Sequence, residues 1–396
     1  MLNIEDRKGE RPKFGLFNLG FRPFFFGAGL SGVVLMTLWM GLYQFQWTLL
    51  PAHMPSIQWH AHEMIFGYAL AAIAGFLLTA SKNWTGVQTL HGTPLALLFI
   101  LWIAARILFF FDLLMITAIV DNLFVLGVVA GVTYPIVKAK QWNQLGLIVK
   151  LVLLLVANIL FYLGISGILE SGYHTGLYLG LYLILAIIFE MGRRVIGFFI
   201  EKGVDETIQL KNWRWVDLSS MSIFLLFTLF DLFLSFPNIT AALALGLAIV
   251  HSVRLYGWYT PGIWQKPLLW SLYIAYMFII FGFALKASTV WFGVSYVLAI
   301  HAFTVGGVGM ITMGMMARVA LGHTGRSVFD PPKSLTIFFI LLLAAAVVRV
   351  ILPLFSIGDY AMLMLISQGL WVAAFTLFTL VYAPMLFTRR IDGGPG

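Results

Sequence analysis

The sequence predicts an all-α fold, a polytopic transmembrane helical bundle of about 12 spans with both termini in the cytoplasm. Hydrophobic residues make up 61% of the 396 residues, charged residues only 10%, and the mean hydropathy is +0.95. Soluble proteins carry about 25% charged residues. Because so few charges cannot cover a water-facing surface, lipid must be the main solvent of the folded chain.

Twelve apolar segments approach the roughly 20 residues that a helix needs to cross a bilayer. A mixed acidic and basic stretch precedes the first of them, unlike the short basic end of a secretory signal, so we expect this segment to remain as a span. The prediction is a cytoplasmic segment at 1–19, one membrane domain at 20–387 and a cytoplasmic tail at 388–396. The predicted spans are 20–43, 58–80, 94–112, 114–137, 145–169, 173–198, 215–235, 238–258, 267–286, 293–318, 334–354 and 360–387.

The distribution of basic residues predicts the orientation of these spans. With both termini inside, only Arg106, Lys286 and Arg349 of the 24 Lys and Arg residues fall on the outer side. Cytoplasmic loops of membrane proteins carry such an excess of basic residues, and an error in the number of spans would have scrambled it. A net charge of +8 would suggest nucleic acid as the partner of a soluble protein. Its distribution here indicates instead a bacterial cytoplasmic (inner) membrane protein with the lipid bilayer as its partner.

The chain contains no cysteine, which excludes disulfides and any metal or cluster held by thiolates. A metal would have to be bound by imidazole, carboxylate or thioether groups. The sequence also lacks a phosphate-binding glycine loop with its lysine, a Gly-x-Ser-x-Gly elbow and a His-Glu-x-x-His motif. Hydrolytic and nucleotide-driven reactions therefore have no recognisable machinery.

The second span opens with an unusual group of ionisable residues, WHAHEMIFG at 59–67. Ionisable side chains inside a span are energetically costly and are functional candidates by default. At about 100° per residue, His60 and His62 point to nearly opposite sides of the helix, whereas His60 and Glu63 share a face. The two histidines can therefore serve two centres on either side of the helix; the alternative is that they only cap the span at its wet outer boundary.

Two further histidines lie inside predicted spans. His301, in the tenth span, is close to the predicted depth of His60 and His62, and His251 lies deeper, in the eighth span. His251 is either a further metal ligand or an imidazole hydrogen-bonded between helices. Glycines follow His301 and allow the close approach of either a porphyrin ring or a neighbouring helix; they are Gly306, Gly307, Gly309 and Gly314.

Arg106 and Asp121 flank the tight turn between the third and fourth spans at similar depth. An unpaired charge there would cost several kcal/mol, so we expect a buried structural ion pair. Arg106 could alternatively meet the carboxylates of a bound cofactor.

Several long strings of this sequence resemble the NnrS family. At the N-terminal end they are GFRPFF (20–25), WHAHEMIFG (59–67), AGFLLTA (74–80) and NWTG (83–86). In and after the tenth span they are HAFTVG (301–306), MAR (316–318) and LGHTGR (321–326). The strings occur in order, and the length and the twelve-span layout fit, so the resemblance covers essentially the whole chain.

The resemblance implies a haem- and copper-containing membrane protein linked to nitric oxide and nitrosative stress, with a membrane electron donor as a further expected partner. We expect a b-type haem, with copper as the second candidate metal, and a redox reaction with nitric oxide as the candidate activity. Since imidazole binds both metals, our hypothesis places His60, His62 and His301 in one metal site, with His251 as a further ligand and Glu63 as ligand or proton carrier. The alternative function is a secondary transporter of a small solute or metal that uses these His and Glu groups.

Overall fold

A computed structural model of the chain describes residues 14–393, and within them the fold is all-helical. Each of the twelve predicted spans overlaps one helix, with bounds that differ by a few residues. The helices are α1 (Phe21–Gln44), α2 (Ser56–Thr85), α3 (Thr93–Leu108), α4 (Leu114–Lys138), α5 (Leu145–Ile165), α6 (Gly172–Gly203), α7 (Arg214–Phe233), α8 (Pro237–Gly257), α9 (Pro267–Trp291), α10 (Tyr296–His323), α11 (Ser334–Leu354) and α12 (Tyr360–Phe387).

Ten of these helices are long and apolar enough to cross a membrane. The two others are α3, an apolar helix of 16 residues, and α6, whose 32 residues make it the longest helix of the described chain. At 1.5 Å per residue, α3 is only about 24 Å long, whereas α6 reaches about 48 Å. The predicted segment 1–19 and the tail 388–396 fall partly outside the described residues.

The first and last helices pack along each other and bring the two ends of the described chain together. The amide of Gly15 donates to the carbonyl of Phe387 at 2.8 Å, and the fully buried Arg22 donates to the carbonyl of Leu386 at 3.0 Å. A cation is stabilised at a helix C-terminus because the last carbonyl groups lack partners within the helix. Arg22 therefore satisfies the end of α12 and closes the bundle.

Three helices contain a π-helical segment, in which the hydrogen bonds span one more residue than in an α-helix. The segments are Glu63–Ala69 in α2, Ala302–Gly309 in α10 and Val347–Ile351 in α11. Such segments occur often at functional sites because they change the direction in which side chains point. Two of them begin directly after the histidine-bearing turns of α2 and α10, and the third contains Arg349.

The glycines after His301 serve helix packing and do not face a space for a flat ring. A Cβ atom at Gly306 would lie 2.3 Å from the ring of Phe278, and one at Gly309 would lie 2.6 Å from the ring of Trp371. Side chains of α9 and α12 therefore already cover this part of α10. The close contact explains why no larger residue is accommodated at Gly306.

Candidate functional site

Helix α2 separates two groups of polar side chains at the same end of the bundle, the end at which the even-numbered helices begin. On one side, His60 lies near His301 of α10, and we call these two residues the imidazole pair. On the other side, His62 belongs to what we call the charge network, whose members are His62, Glu63, Arg106, Asp121, Asn158 and Tyr162.

The centre of the charge network is a buried group of three charged residues from three helices. Arg106 of α3 forms an ion pair with Asp121 of α4, and its Nη1 lies 3.2 Å from Oε1 of Glu63. Glu63 and Asp121 are fully buried. Gly67, one turn beyond Glu63, leaves room for this arrangement, since a Cβ atom there would lie 2.7 Å from Nη1 of Arg106.

His62 completes the network, and both of its ring nitrogens have oxygen partners. Nε2 lies 2.8 Å from the amide oxygen of Asn158, which can only accept, so this nitrogen carries a hydrogen. Nδ1 lies 3.1 Å from Oε1 of Glu63. With Arg106 positive and Asp121 negative, the network is neutral when one proton is held between His62 Nδ1 and Glu63 Oε1.

This arrangement differs from the expected grouping of Glu63 with His60. Glu63 contacts His62 and Arg106, because a buried carboxylate requires a cation or a proton donor and both lie on that side of α2. Since both nitrogens of His62 are engaged, a metal could bind this ring only by displacing a hydrogen bond. The structure therefore does not bring His62 and Glu63 together with His60 and His301.

The imidazole pair has a different chemistry, because its rings keep nitrogen lone pairs without strong partners. The ring of His60 stacks on Trp39 of α1 at 4.3 Å with an interplanar angle of 10°, and its buried Nδ1 has no hydrogen-bond partner. Nδ1 of His301 donates to the carbonyl of Val297 at 2.7 Å, so its lone pair is on Nε2. Metal-binding histidines are commonly oriented by such a bond from the other ring nitrogen.

Arg349 of α11 lies beside the imidazole pair. Its Nη2 is 3.4 Å from Nε2 of His301, its Nη1 donates to the hydroxyl of Tyr360 at 3.0 Å, and its charge acts on both imidazoles. Only 7% of Arg349 is exposed, and no carboxylate of residues 14–393 forms an ion pair with it. A buried cation of this kind favours an anionic group beside it.

His251 belongs to neither the imidazole pair nor the charge network. It lies about 21 Å along α8 from the start of that helix. Its Nδ1 is 2.6 Å from the hydroxyl of Tyr276, and its ring stacks on Phe189 at 4.2 Å. One turn further on, Arg254 pairs with Asp217 at 2.8 Å. His251 is thus hydrogen-bonded between helices near the opposite end of the bundle, although its buried Nε2 has no partner.

The described residues contain no group of three or more His, Cys, Asp or Glu side chains arranged to hold a metal ion. What they contain is two imidazoles with a cation beside them, so a metal held here would need further ligands from outside these side chains. No pattern in the sequence points to Trp39 or Tyr360 as members of this site. The sequence does single out Arg349, because it is one of the three basic residues predicted on the outer side.

One comparison with known proteins identifies the family. A search among curated proteins finds no match for this chain. A family model described as NnrS protein matches residues 15–390, which is nearly the whole chain. Together with the many apolar helices, this match shows that the chain is a multi-pass membrane protein that belongs to the NnrS family.

Proposed function

We propose that this protein is a haem- or copper-bearing protein of the bacterial inner membrane that binds or reacts with nitric oxide and protects against nitrosative stress. Membership of the NnrS family supports the connection with nitric oxide. The observation that carries the metal part of the proposal is the imidazole pair, in which His60 Nδ1 is buried without a partner and His301 Nε2 has only a long contact to Arg349.

Each residue around the imidazole pair has a role in this proposal. His60 and His301 provide the ligand nitrogens, Trp39 fixes the plane of one ring, and the carbonyl of Val297 fixes the other. Arg349 and Tyr360 supply donors for the anionic groups that a haem carries at its edge. The bound metal would supply a centre that can bind nitric oxide and change oxidation state.

The charge network can hold a proton close to this centre, on the other side of α2. One proton lies between His62 Nδ1 and Glu63 Oε1, and Arg106 and Asp121 keep the remaining charge balanced. Glu63 Oε2 is buried and lacks a hydrogen-bond partner, so one oxygen of this carboxyl group is not committed to the network. In the proposed function, Glu63 is the proton carrier and His62 its partner, and neither is a metal ligand.

The proposed orientation places both termini in the cytoplasm. It is supported by the charge distribution, since only 3 of the 20 basic residues among residues 14–393 lie at the end of the bundle that contains the imidazole pair. The site would then be close to the outer face of the membrane, where nitric oxide from outside the cell arrives first.

The proposal is tested by the metal content and absorption spectrum of the protein purified in detergent. We expect iron or copper, with a Soret band that shifts on reduction and on addition of nitric oxide if haem is bound. His60→Ala and His301→Ala should each lower the metal content at least about tenfold, since even outer-shell changes cost 10–100-fold in affinity. His174→Ala is the matched control, because His174 is exposed at the same end of the bundle. Full metal content in both ligand variants would contradict the proposal.

A secondary transporter is the second candidate, and the charge network favours it. Buried, balanced charges near a proton-holding pair resemble the coupling sites of proton-driven transporters. Proteoliposomes that contain metal-free protein would then take up a solute in response to a proton gradient, and Glu63→Gln would abolish the uptake. Absence of flux together with stoichiometric metal would leave the metal-bearing function as the better account.

A further inference from the structure

A cavity of about 240 Å³ lies at the opposite end of the bundle from the imidazole pair. It is bounded by the end of α6, the start of α9, the last part of α10 and the loop that follows α10. Its volume corresponds to roughly eight water molecules at about 30 Å³ each. This is room for a small polar group, and it is below the size of the pockets that usually hold drug-sized ligands.

Arg318 of α10 lines this cavity and has an unsatisfied positive charge. Its side chain is 8% exposed, and its guanidinium lies over the ring of Phe199 at 4.0 Å. Among residues 14–393 it forms no ion pair and no hydrogen bond. The ring contact stabilises the charge only partly, since a cation–π contact contributes about 0.5–2 kcal/mol and leaves the guanidinium N–H groups that face the cavity without an acceptor in the described part of the protein.

Two further sources of positive charge surround the same space. Lys266 lines the cavity and pairs at 2.9 Å with Asp205, which is 72% exposed and so only weakly neutralises it. Helix α9 begins at Pro267, has no acidic residue in its first turn, and presents Leu268 and Leu269 to the cavity. The N-terminus of a helix carries about half a positive charge and binds anions.

We propose that this cavity binds the phosphate group of an anionic molecule, with Arg318 as its main contact and Lys266 as the second. A guanidinium binds phosphate through two parallel hydrogen bonds, and basic pockets between spans at the inner membrane surface hold lipid head groups. The phosphate can come from an anionic phospholipid or from a soluble phosphate compound, which share this chemistry. The proposal is independent of the metal site, which lies at the other end of the helices.

The test measures the melting temperature of the full-length protein in a neutral maltoside detergent at constant ionic strength. One series adds inorganic phosphate, and the other adds phosphatidylglycerol, with phosphatidylcholine as the zwitterionic comparison that has no net charge. A ligand that binds the folded state raises the melting temperature in a saturable way. We expect this rise in at least one series, with half-saturation at about tenfold or higher concentration in Arg318→Gln, because a charge-assisted bond is lost.

The controls separate the site from general effects of charge. Arg214→Gln removes an exposed basic residue at the same end and should respond like the unchanged protein, whereas Lys266→Gln should weaken the response several-fold even if Arg318→Gln does not fold. A response to phosphate indicates that a soluble compound suffices, and a response to phosphatidylglycerol alone indicates a lipid. The proposal would be overturned by the absence of a saturable response in both series, or by a lipid response that phosphatidylcholine matches when phosphate gives none. An unchanged response in whichever of Lys266→Gln and Arg318→Gln folds would also overturn it.

Discussion

The basic residues at the end of the bundle that contains the imidazole pair differ in their partners. In the described part of the chain, three basic residues lie at the end where the positive-inside rule predicts few, and each has a specific environment. Arg106 pairs with Asp121 and Glu63, and Lys286 pairs with Asp231 at 2.9 Å. Arg349 has no carboxylate partner within residues 14–393 and instead lies beside His301. Of these three residues, Arg349 is therefore the one without a carboxylate partner, and it adjoins the proposed metal site.

Replacing Asp121 by Asn should strongly destabilise the protein. The change leaves Arg106 buried with one carboxylate fewer, and breaking a buried ion pair in this way costs about 3–5 kcal/mol. The free energy of unfolding in detergent measures the effect. Asp205→Asn is the matched control, since its partner Lys266 lies at the surface and the loss should be about 1 kcal/mol or less. Equal losses in the two variants would show that the network contributes little.

Removing the aromatic ring of Trp39 should loosen the imidazole of His60. Aromatic contacts of this type contribute about 0.5–1.5 kcal/mol, so Trp39→Ala should weaken metal retention by up to about tenfold. Trp39→Phe keeps a ring in the stack and should restore most of the retention. The measurement is metal content after dialysis against a chelator, together with the position of the Soret band. Identical behaviour of the Ala and Phe variants would exclude a role for stacking.

At the scale of the elements, the helices were predictable from the sequence and their internal irregularities were not. Apolar runs between proline, glycine and polar breaks correspond one to one with the twelve helices, because hydrocarbon requires every backbone group to be paired within its own segment. The π-helical segments at Glu63–Ala69 and Ala302–Gly309 change only the hydrogen-bond register, which hydropathy does not report. Helical spacing likewise places Glu63 on the face of His60 but does not report that the cation Arg106 lies on the other side, where Glu63 contacts it.

Helix α10 depends on a close approach to α9 at Gly306. A Cβ atom there would lie 2.3 Å from the ring of Phe278, so Gly306→Ala should destabilise the protein by about 1–3 kcal/mol. Gly369, inside α12, has no heavy atom within 4 Å of such a Cβ atom, and Gly369→Ala should be neutral or stabilising by about 0.5–1 kcal/mol. Thermal denaturation of the two variants side by side provides the comparison. A stable Gly306→Ala protein would mean that the two helices can move apart freely.

For the whole molecule, the sequence predicts contacts between neighbours along the chain better than contacts between distant helices. Arg106 and Asp121 are 15 residues apart across one short turn, so their proximity follows from the turn itself. Arg349 and His301 are 48 residues apart, and His60 lies in the second helix whereas His301 lies in the tenth. Which of these helices are adjacent depends on side-chain packing across the bundle, and no local pattern in the sequence encodes it.

The proposed orientation of the whole bundle can be tested directly because the chain contains no cysteine. Single cysteines at Thr48 and Glu170 should react with a membrane-impermeant maleimide in intact cells, since both positions are exposed at the end that contains the imidazole pair. Cysteines at Asn143 and Glu206, exposed at the opposite end, should react only after the membrane is permeabilised. Labelling in denaturant controls for the amount of each variant. The reverse pattern would invert the bundle and place the imidazole pair on the cytoplasmic side, whereas labelling of one position from each pair would show that a predicted span does not cross the membrane.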